Sequence, residues 1–404
     1  MISVNDALNL VMAEARSFGT ERIALEKSFG RVLAEDVRAD RDYPPFNRSA
    51  MDGYAIVAEN FAAQKKYVVQ RIVFAGETPP PNPLPINGEG ESITIKIMTG
   101  AAVPAPFNAV IRREDANEIQ GKVAFQAAAV KAWHNISRQG EDMKRGEKIS
   151  LRGRLIDNAT VSLLASLGHV RPQVARLPRV AIISTGKEII PPGRKPNPVQ
   201  IRNANAFALQ CQLAQCGISR LKHVHVADDR KKLRAAIAQF DKIDILLMTG
   251  GVSAGDSDYV PEVLEKLKFK KIFHKVQMKP GKPLWFGRRG KTIVFAIPGN
   301  PFSAQVIFRI FIDPFLRSCF GMHSSSALAL PLNAPRSKKD TLENYFPVKL
   351  ETGANTGSGL SPLKFNSSGD VRAALFSDGI AAHPAGQAEL AAGSFVDFYP
   401  WRQL

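Results

Sequence analysis

The sequence is poor in cysteine and has no long apolar run, and both absences restrict the class of protein. Only Cys211, Cys216 and Cys319 occur in 404 residues, so the chain carries neither a disulfide framework nor a zinc-ligand spacing. No uninterrupted apolar run approaches the ~20 residues that a membrane-spanning helix needs. Asp6 and Glu14 interrupt the apolar amino-terminal segment, which is typical of an amphipathic helix rather than a signal peptide. We therefore expect a cytoplasmic protein that does not contact membranes.

Two nucleotide-binding signatures are also missing. The segment at 287–292 lacks the spacing of a Walker loop, and no G-x-G-x-x-G follows a predicted strand, which excludes the usual P-loop and dinucleotide sites. Basic residues outnumber acidic ones by 54 to 37, for a net charge of +17. They are scattered, with no aromatic-interleaved basic run, so we expect general surface basicity rather than nucleic-acid binding.

The pattern of elements predicts several domains. A length of 404 residues is too great for one ordinary domain. Apolar spacing predicts helical structure over the first ~40 residues, and short β segments follow at 56–135. From Leu177 onward strands alternate with helices, which predicts a mostly parallel sheet covered on both faces. After 325 the chain returns to short strand-like pieces separated by glycine- and serine-rich turns.

We therefore predict an α/β multidomain fold. Its centre is a three-layer α/β domain with a mostly parallel sheet at 176–325. A helical linker domain at 1–45 and 136–175 and a β domain at 46–135 precede it, and a small β domain at 326–404 closes the chain.

The loop after the buried strand IDILLM combines glycines with paired carboxylates. Its glycines let backbone N–H groups approach an anion, and a serine adds a hydroxyl. Two carboxylates beside a phosphate cradle are what Mg²⁺ bridging to phosphates requires. Capping of the next helix by Ser257 or Asp258 is the alternative, but it explains one residue and not the whole loop. The residues with this chemistry are Gly250, Gly251, Ser253, Gly255, Asp256 and Asp258.

A second loop, KVQMKPGKP at 275–283, places three lysines around a Pro-Gly turn. Lys275 and Lys279 give it a rigid cationic edge that suits an oxyanion or a phosphate. Solvated surface lysines are the alternative for each of them taken alone.

Two further loops follow predicted strands of the same sheet. In PGNPFS, Asn300 is predicted as the N-cap and Pro301 as the first helical residue. The free N–H groups of that helix, with Ser303 in its first turn, form an anion site, although capping alone also explains the motif. After the strand RVAIIST, Glu188 offers a third carboxylate. Ligands of open parallel sheets bind beyond the carboxyl ends of the strands, where these loops meet.

Together these loops resemble the MoeA family, which is related to the E domain of plant and animal Mo-insertases such as gephyrin. SAMDGYA at 49–55, MTGA at 98–101 and GED at 140–142 match further segments of that family. TGGVSAGDSDY, KPGKP and PGNP match its three loops, and the agreement runs in order over nearly the whole chain.

The resemblance implies an architecture and a reaction. The architecture is an elongated homodimer with a bent amino-terminal arm, a central pterin-binding domain and a small carboxyl-terminal β barrel. The reaction is the Mg²⁺-dependent cleavage of adenylylated molybdopterin, with insertion of molybdate at the dithiolene and release of AMP. The implied partners are a second copy of the chain, the molybdopterin adenylyltransferase, and molybdoenzyme apoproteins or their chaperones.

The resemblance also assigns roles by position. Glu188, Asp256 and Asp258 would hold Mg²⁺, with Asp228 nearby, and the two lysines would neutralise molybdate and the developing phosphate charge. The positions implied to act in catalysis are Asp52, Thr99, Asp142, Glu188, Asp228, Asp256, Asp258, Lys275 and Lys279. The positions implied to contact the pterin substrate are Thr185, Gly250, Gly251, Ser253, Gly255, Pro298, Asn300, Pro301 and Ser303.

The sequence departs from the family at three points, and two other functions stay open. Pro45-Phe46-Asn47-Arg48-Ser49 stands where the family usually has PPF-Asp-Asn-Ser. STGKEI stands where the family has STGDEL, and Arg202-Asn203-Ala204-Asn205 replaces the usual acid or amide pattern. A molybdopterin adenylyltransferase-like enzyme shares the glycine-rich loop but has neither the segment at 1–175 nor the carboxyl-terminal domain. A non-catalytic, gephyrin-like scaffold would need an exposed groove for a partner.

Overall fold

The computed structural model describes residues 1–63, 65–78, 92–240, 242–252, 259–322, 327–353 and 357–402. The chain divides into two compact units. The larger comprises Met1–Glu35, Arg152–Val161 and Arg171–Leu404, and the smaller comprises Asp36–Leu151 and Ser162–Val170. Within the described ranges, no helix has both the length and the hydropathy that crossing a bilayer demands.

The smaller unit is built on a six-stranded sheet. In spatial order its strands are Ala109–Arg112, Gly53–Ile56, Ser92–Ile97, Tyr67–Val73, Lys122–Phe125 and Ala116–Ile119. All four residues of the strand Gly53–Ile56 are buried. Because side chains alternate along a strand, Ala55 joins the apolar cluster on one face, whereas Tyr54 and Ile56 join the cluster on the other. The unit also contains two short antiparallel pairs, Val37–Arg38 with Lys148–Ile149 and Arg48–Ser49 with Ile136–Ser137.

The amino-terminal segment is only partly helical. A helix spans Val4–Ala13, but Thr20–Arg22 is a strand that pairs antiparallel with Gln173–Ala175, and Leu25–Lys27 is a 3-10 turn. The prediction of helix over about the first 40 residues was therefore wrong beyond Ala13. The strand exists because a distant segment supplies its backbone partners, which local apolar spacing does not reveal.

The larger unit contains the predicted central sheet. In spatial order its strands are Leu221–Val226, Val180–Thr185, Ile245–Thr249, Thr292–Ile297, Trp285–Arg289 and Lys270–His274. The first four strands run parallel to one another. The strand Trp285–Arg289 is antiparallel to both of its neighbours, Thr292–Ile297 and Lys270–His274. Ile182 packs into one apolar core while its neighbours Ala181 and Ile183 pack into another, so both faces are covered. The three-layer, mostly parallel prediction is confirmed.

Helices flank this sheet in the predicted alternation. They span Ala204–Gln215, Arg230–Ala238, Val260–Lys266 and Pro301–Ile307, and the last continues through a π-helical turn, Phe308–Ile312, into Asp313–Cys319. A further helix, Asn158–Ser166, comes before the sheet in the chain. A short parallel pair, Ile189–Ile190 with Ile201–Arg202, lies beside them.

The carboxyl-terminal β domain is also confirmed. Its main strands are Leu328–Pro331, Glu343–Gly353, Gly357–Pro362, Gly379–His383 and Phe395–Pro400, with a short pair Arg336–Ser337 and Glu389–Leu390. A bridge between Leu332 and Leu360 joins the first strand to the third and closes the sheet on itself. The strand Met278–Lys279 pairs with the start of Glu343–Gly353, which fixes the lysine-rich loop against this domain.

Candidate functional site

A small cavity of about 290 Å³ lies beyond the carboxyl ends of the parallel strands. Open parallel sheets place ligands at this edge, and the loops singled out from the sequence converge there. Its wall includes Thr185, Gly186, Glu188, Asn203, Asn205, Asp228, Thr249, Gly250, Gly251, Gly299, Asn300 and Pro301.

The glycine-rich wall of this cavity has no room for a side chain at Gly250. Gly250 has φ +92°, and a Cβ there would lie 2.5 Å from the carbonyl oxygen of Thr185. The close approach of the two strands therefore requires glycine. Thr185 Oγ1 is buried and has no hydrogen-bond partner among the described residues. A buried hydroxyl without a partner on a cavity wall indicates a ligand or water contact.

Two of the predicted carboxylates, those of Glu188 and Asp228, line the cavity. Asp228 Oδ2 accepts a hydrogen bond from the N–H of Lys187 at 3.1 Å. Ser253, Gly255, Asp256 and Asp258 lie outside the described residues. In the ranges that the structure covers, no three His, Cys, Asp or Glu side chains come together as a metal site. The N-cap of the helix that follows is Tyr259, whose side chain makes no capping hydrogen bond.

Asn205 is a residue of this site that the sequence motifs did not identify. Its buried amide donates to the Gly299 carbonyl at 2.7 Å and to Thr249 Oγ1 at 3.0 Å. Thr249 Oγ1 in turn donates to the Pro298 carbonyl at 3.3 Å. These hydrogen bonds hold the Pro298–Asn300 turn against the sheet.

Asn203, also in the departing segment, caps the helix Ala204–Gln215 through its side-chain oxygen. Its Nδ2 donates to Ser184 Oγ at 2.8 Å, and this hydroxyl also lies 3.1 Å from His223 Nε2 and 3.4 Å from His225 Nδ1. Burial and the neighbouring His225 lower the pKa of His223. The Ser184 hydroxyl thus links Asn203 to both histidines.

A larger cavity of about 1130 Å³ adjoins the first, within the same unit, because Gly299 and Asn300 line both. The lysine-rich loop forms one wall and residues of the carboxyl-terminal β domain form the other. Five basic side chains outnumber two acidic ones on its surface, which favours anions. The charged lining consists of Lys279, Lys282, Arg336, Lys338, Lys339, Asp340 and Glu389.

The lysines of this cavity differ in how their charge is used. Lys279 Nζ pairs with Asp340 at 2.9 Å. Burial opposes ionisation of Asp340, but the hydrogen bonds from Lys279 and Asn344 outweigh it and lower the pKa of the carboxyl. Lys338 donates to backbone carbonyls, including that of Pro384 at 2.6 Å. Lys282 is exposed and has no ion-pair partner among the described residues. Lys339 is likewise exposed and has no ion-pair partner among the described residues, so Lys282 and Lys339 are the cations with the most freedom to bind a ligand.

Lys275, by contrast, lines neither cavity. Its backbone has φ +72°, and its N–H and carbonyl bond to Leu284 and Ile2. The structure therefore brings Lys279, Pro298 and Ser303 to the larger cavity and leaves Lys275 outside it.

Asn300 stands between the two cavities. It occupies the predicted N-cap position and Pro301 begins the helix, but the Asn300 side chain makes no capping hydrogen bond. Its Nδ2 donates instead to Ser368 Oγ at 2.7 Å, and the Phe302 N–H bonds to the Ser368 carbonyl at 3.0 Å. The predicted N-cap position of Asn300 is thus confirmed, although its side chain contacts the carboxyl-terminal domain and not the first turn of the helix.

In the smaller unit, the two predicted residues Asp52 and Thr99 are in contact. Asp52 Oδ1 accepts from both the backbone N–H and the hydroxyl of Thr99, each at 2.7 Å. These two hydrogen bonds lower the pKa of the Asp52 carboxyl, so it stays ionised at neutral pH. Asp142 is exposed, and its N–H donates to the Tyr43 carbonyl at 2.9 Å.

Comparisons with known families cover nearly all of the chain. Residues 2–168 match the family described as "MoeA N-terminal region (domain I and II)". Residues 181–318 match "Probable molybdopterin binding domain", and 329–401 match "MoeA C-terminal region (domain IV)".

Individual relatives match along their whole length. A molybdopterin molybdenumtransferase from Synechococcus elongatus is 34% identical, covering 98% of this chain and 99% of the relative. One from Synechocystis is 32% identical, covering 99% and 100%. Two solved structures of a molybdopterin biosynthesis MoeA protein from Pyrococcus horikoshii have TM-scores of 0.80 and 0.79, at 28% and 26% identity. They cover 100% and 99% of this chain and 100% of their own.

Proposed function

Because the chain belongs to the MoeA family of molybdopterin molybdenumtransferases, we propose that it inserts molybdate into adenylylated molybdopterin and releases AMP. The observation that carries this proposal is the pair of adjoining cavities that share Gly299 and Asn300. One cavity has the glycine-lined wall and carboxylates expected around a phosphate, and the other is rich in cations. A substrate with a pyrophosphate link and a second, anionic substrate need two such compartments side by side.

The larger cavity is the proposed compartment for molybdate. Molybdate is a tetrahedral dianion, and the excess of basic side chains favours it electrostatically. Lys282 and Lys279 approach from one wall and Arg336 from the other. Burial lowers the pKa of Arg336, yet a guanidinium stays charged at neutral pH and can donate in a fork to oxyanion oxygens.

The smaller cavity is the proposed compartment for the phosphates. Glu188 on its wall, together with Asp256 and Asp258 in the loop that follows Gly251 in the chain, would hold Mg²⁺, with Asp228 nearby. Carboxylate oxygens fit this metal, which in proteins takes oxygen ligands from carboxylates, substrate phosphates and water. When bound, Mg²⁺ would stabilise the charge that develops as the pyrophosphate link breaks. Thr185 Oγ1 and the N–H groups around Gly250 would position the phosphates.

The extent of the family matches supports insertion over the adenylyltransferase alternative. Matches at 2–168 and 329–401 fall on segments that the adenylyltransferase does not have. We further propose that the chain acts in the cytoplasm as a homodimer. It would receive its substrate from the adenylyltransferase and pass its product to molybdoenzyme apoproteins or their chaperones.

The direct test uses the purified chain with adenylylated molybdopterin. We expect AMP to appear only when both molybdate and Mg²⁺ are present, and the released pterin to reconstitute a molybdenum-free apoenzyme. AMP and reconstituted activity would be measured in the same reaction. A chain that binds the substrate but releases no AMP under these conditions would be the scaffold alternative, not an enzyme.

Replacing Lys279 with alanine should raise the molybdate concentration needed for half-maximal AMP release by about tenfold, the value of one charge-assisted hydrogen bond. Excess molybdate should restore most of the turnover. Asp340→Asn is the matched control, because it removes the carboxylate that pairs with Lys279 at 2.9 Å and should lower the requirement instead. If the molybdate requirement stays constant while affinity for the nucleotide collapses, Lys279 serves the phosphates.

A further inference from the structure

A second basic pocket, of about 330 Å³, lies apart from the two cavities of the proposed active site. It forms where the helix Ala204–Gln215, the π-helical turn Phe308–Ile312 and the chain around Trp401 meet. We call it the arginine pocket. Its lining includes Gln212, Arg309, Asp313, Arg317, Trp401 and Arg402.

The charges in the arginine pocket do not balance. Asp313, with 7% of its side chain exposed, pairs with Arg309 and, at 2.9 Å, with Arg317. The half-buried thiol of Cys216 also donates to Asp313, at 3.7 Å. This one carboxylate is therefore fully used, while three guanidinium groups face the pocket. Arg402 is exposed and has no ion-pair partner in the described part of the chain. The surplus is cationic, which favours an anion.

Two buried polar atoms of the pocket residues complement each other chemically. Arg309 Nε is a donor, and Gln212 Oε1 is an acceptor. Both are buried, and neither has a hydrogen-bond partner within the described residues. Buried polar groups in folded proteins are nearly always satisfied, so such atoms beside a cavity indicate a ligand contact. A ligand that satisfies both must carry an acceptor and a donor.

We propose that the arginine pocket binds inorganic phosphate. Near neutral pH phosphate keeps one or two protons, so its P–OH group can donate to Gln212 Oε1 while its anionic oxygens accept from Arg309, Arg317 and Arg402. Sulfate and molybdate have the same tetrahedral shape, but at this pH they carry no proton. Either of them would place an anionic oxygen against the Gln212 carbonyl oxygen. The arginine pocket therefore discriminates against the molybdate that the other site handles.

The test follows the emission of Trp401, which lines the pocket. In a Trp133→Phe chain the remaining tryptophans are Trp285, which is fully buried, and Trp401. Titration with phosphate at neutral pH and constant ionic strength should change this emission. Sulfate should bind about tenfold more weakly or worse, because the acceptor stays unsatisfied. A phosphomonoester dianion, which also has no proton, should behave as sulfate does.

Four variants locate the site. Gln212→Leu should abolish the preference for phosphate over sulfate, whereas Gln210→Leu, on the same helix but outside the pocket lining, should preserve it. Arg402→Gln should weaken both anions about tenfold, the effect of one charge-assisted contact. Lys282→Gln, in the larger cavity, should leave the Trp401 response unchanged. Equal affinities for phosphate and sulfate, a phosphate affinity that is unchanged in Arg402→Gln, or a response lost in Lys282→Gln would each overturn the proposal.

Discussion

Replacing Asp258 with alanine is expected to abolish Mg²⁺-dependent AMP release and to leave the stability of the chain nearly unchanged. The reason is its proposed role: a carboxylate that holds the metal against the pyrophosphate has no substitute in alanine. Losing one preorganised electrostatic contact of this kind costs about a hundredfold or more in turnover. AMP release would be measured against Mg²⁺ concentration, beside a thermal unfolding curve.

Asp229→Ala provides the matched control for this variant. Asp229 is the N-cap of the helix Arg230–Ala238, and its side chain accepts from the Lys232 N–H at 2.8 Å. Removing a true cap costs about 1 kcal/mol of stability and should leave AMP release intact. Asp258→Ala should thus lose AMP release and keep its stability, whereas Asp229→Ala should lose stability and keep AMP release. If Asp258→Ala lowered the stability as Asp229→Ala does and kept normal turnover, Asp258 would be a structural residue.

The glycine-rich edge of the sheet could be predicted from sequence because its chemistry is local. Alternating strands and helices define a parallel sheet, and the carboxyl ends of its strands must share one edge. Gly250 indicates a close backbone approach at this edge, since a Cβ there would lie 2.5 Å from the Thr185 carbonyl oxygen. A position with no room for a Cβ is occupied by glycine, and the glycine is visible in the sequence.

The larger cavity could not be predicted in the same way. Arg336 and Ser368 reach it from the carboxyl-terminal β domain, and neither belongs to a motif with its own chemical signature. Their role arises only because the strand Met278–Lys279 pairs with Glu343–Gly353, a contact between distant segments. Asn205 was missed for a related reason: its amide acts on Thr249 and Gly299, two residues that are remote in sequence and adjacent only after folding.

Lys275 shows the limit of motif spacing. It belongs to the same lysine-rich loop as Lys279, four residues earlier, and the sequence offers no reason to separate them. The backbone separates them, because Lys275 lies at φ +72° and the strand Met278–Lys279 begins after it. Of the three lysines in this loop, only Lys279 and Lys282 line the larger cavity.

Mixing two inactive variants, Asp52→Ala and Asp258→Ala, is expected to restore AMP release. The proposal behind this prediction is that each active site of the homodimer combines Asp52 and Thr99 of one subunit with the phosphate compartment of its partner. The hydrogen bonds of 2.7 Å from Thr99 keep the Asp52 carboxyl ionised and fixed in direction. An oriented carboxylate of this kind suits a contribution to a site built elsewhere.

The expected recovery follows from two-fold symmetry. In a mixed dimer one site receives both lesions and the other receives neither. Random pairing after co-refolding makes about half of the dimers mixed, so roughly a quarter of all sites should be intact. AMP release by the mixture would be compared with that of each variant refolded alone and with the wild-type chain. A co-refolded mixture as inactive as its two parents would mean that each subunit builds its own site, and Asp52 would then act within its own chain or not at all.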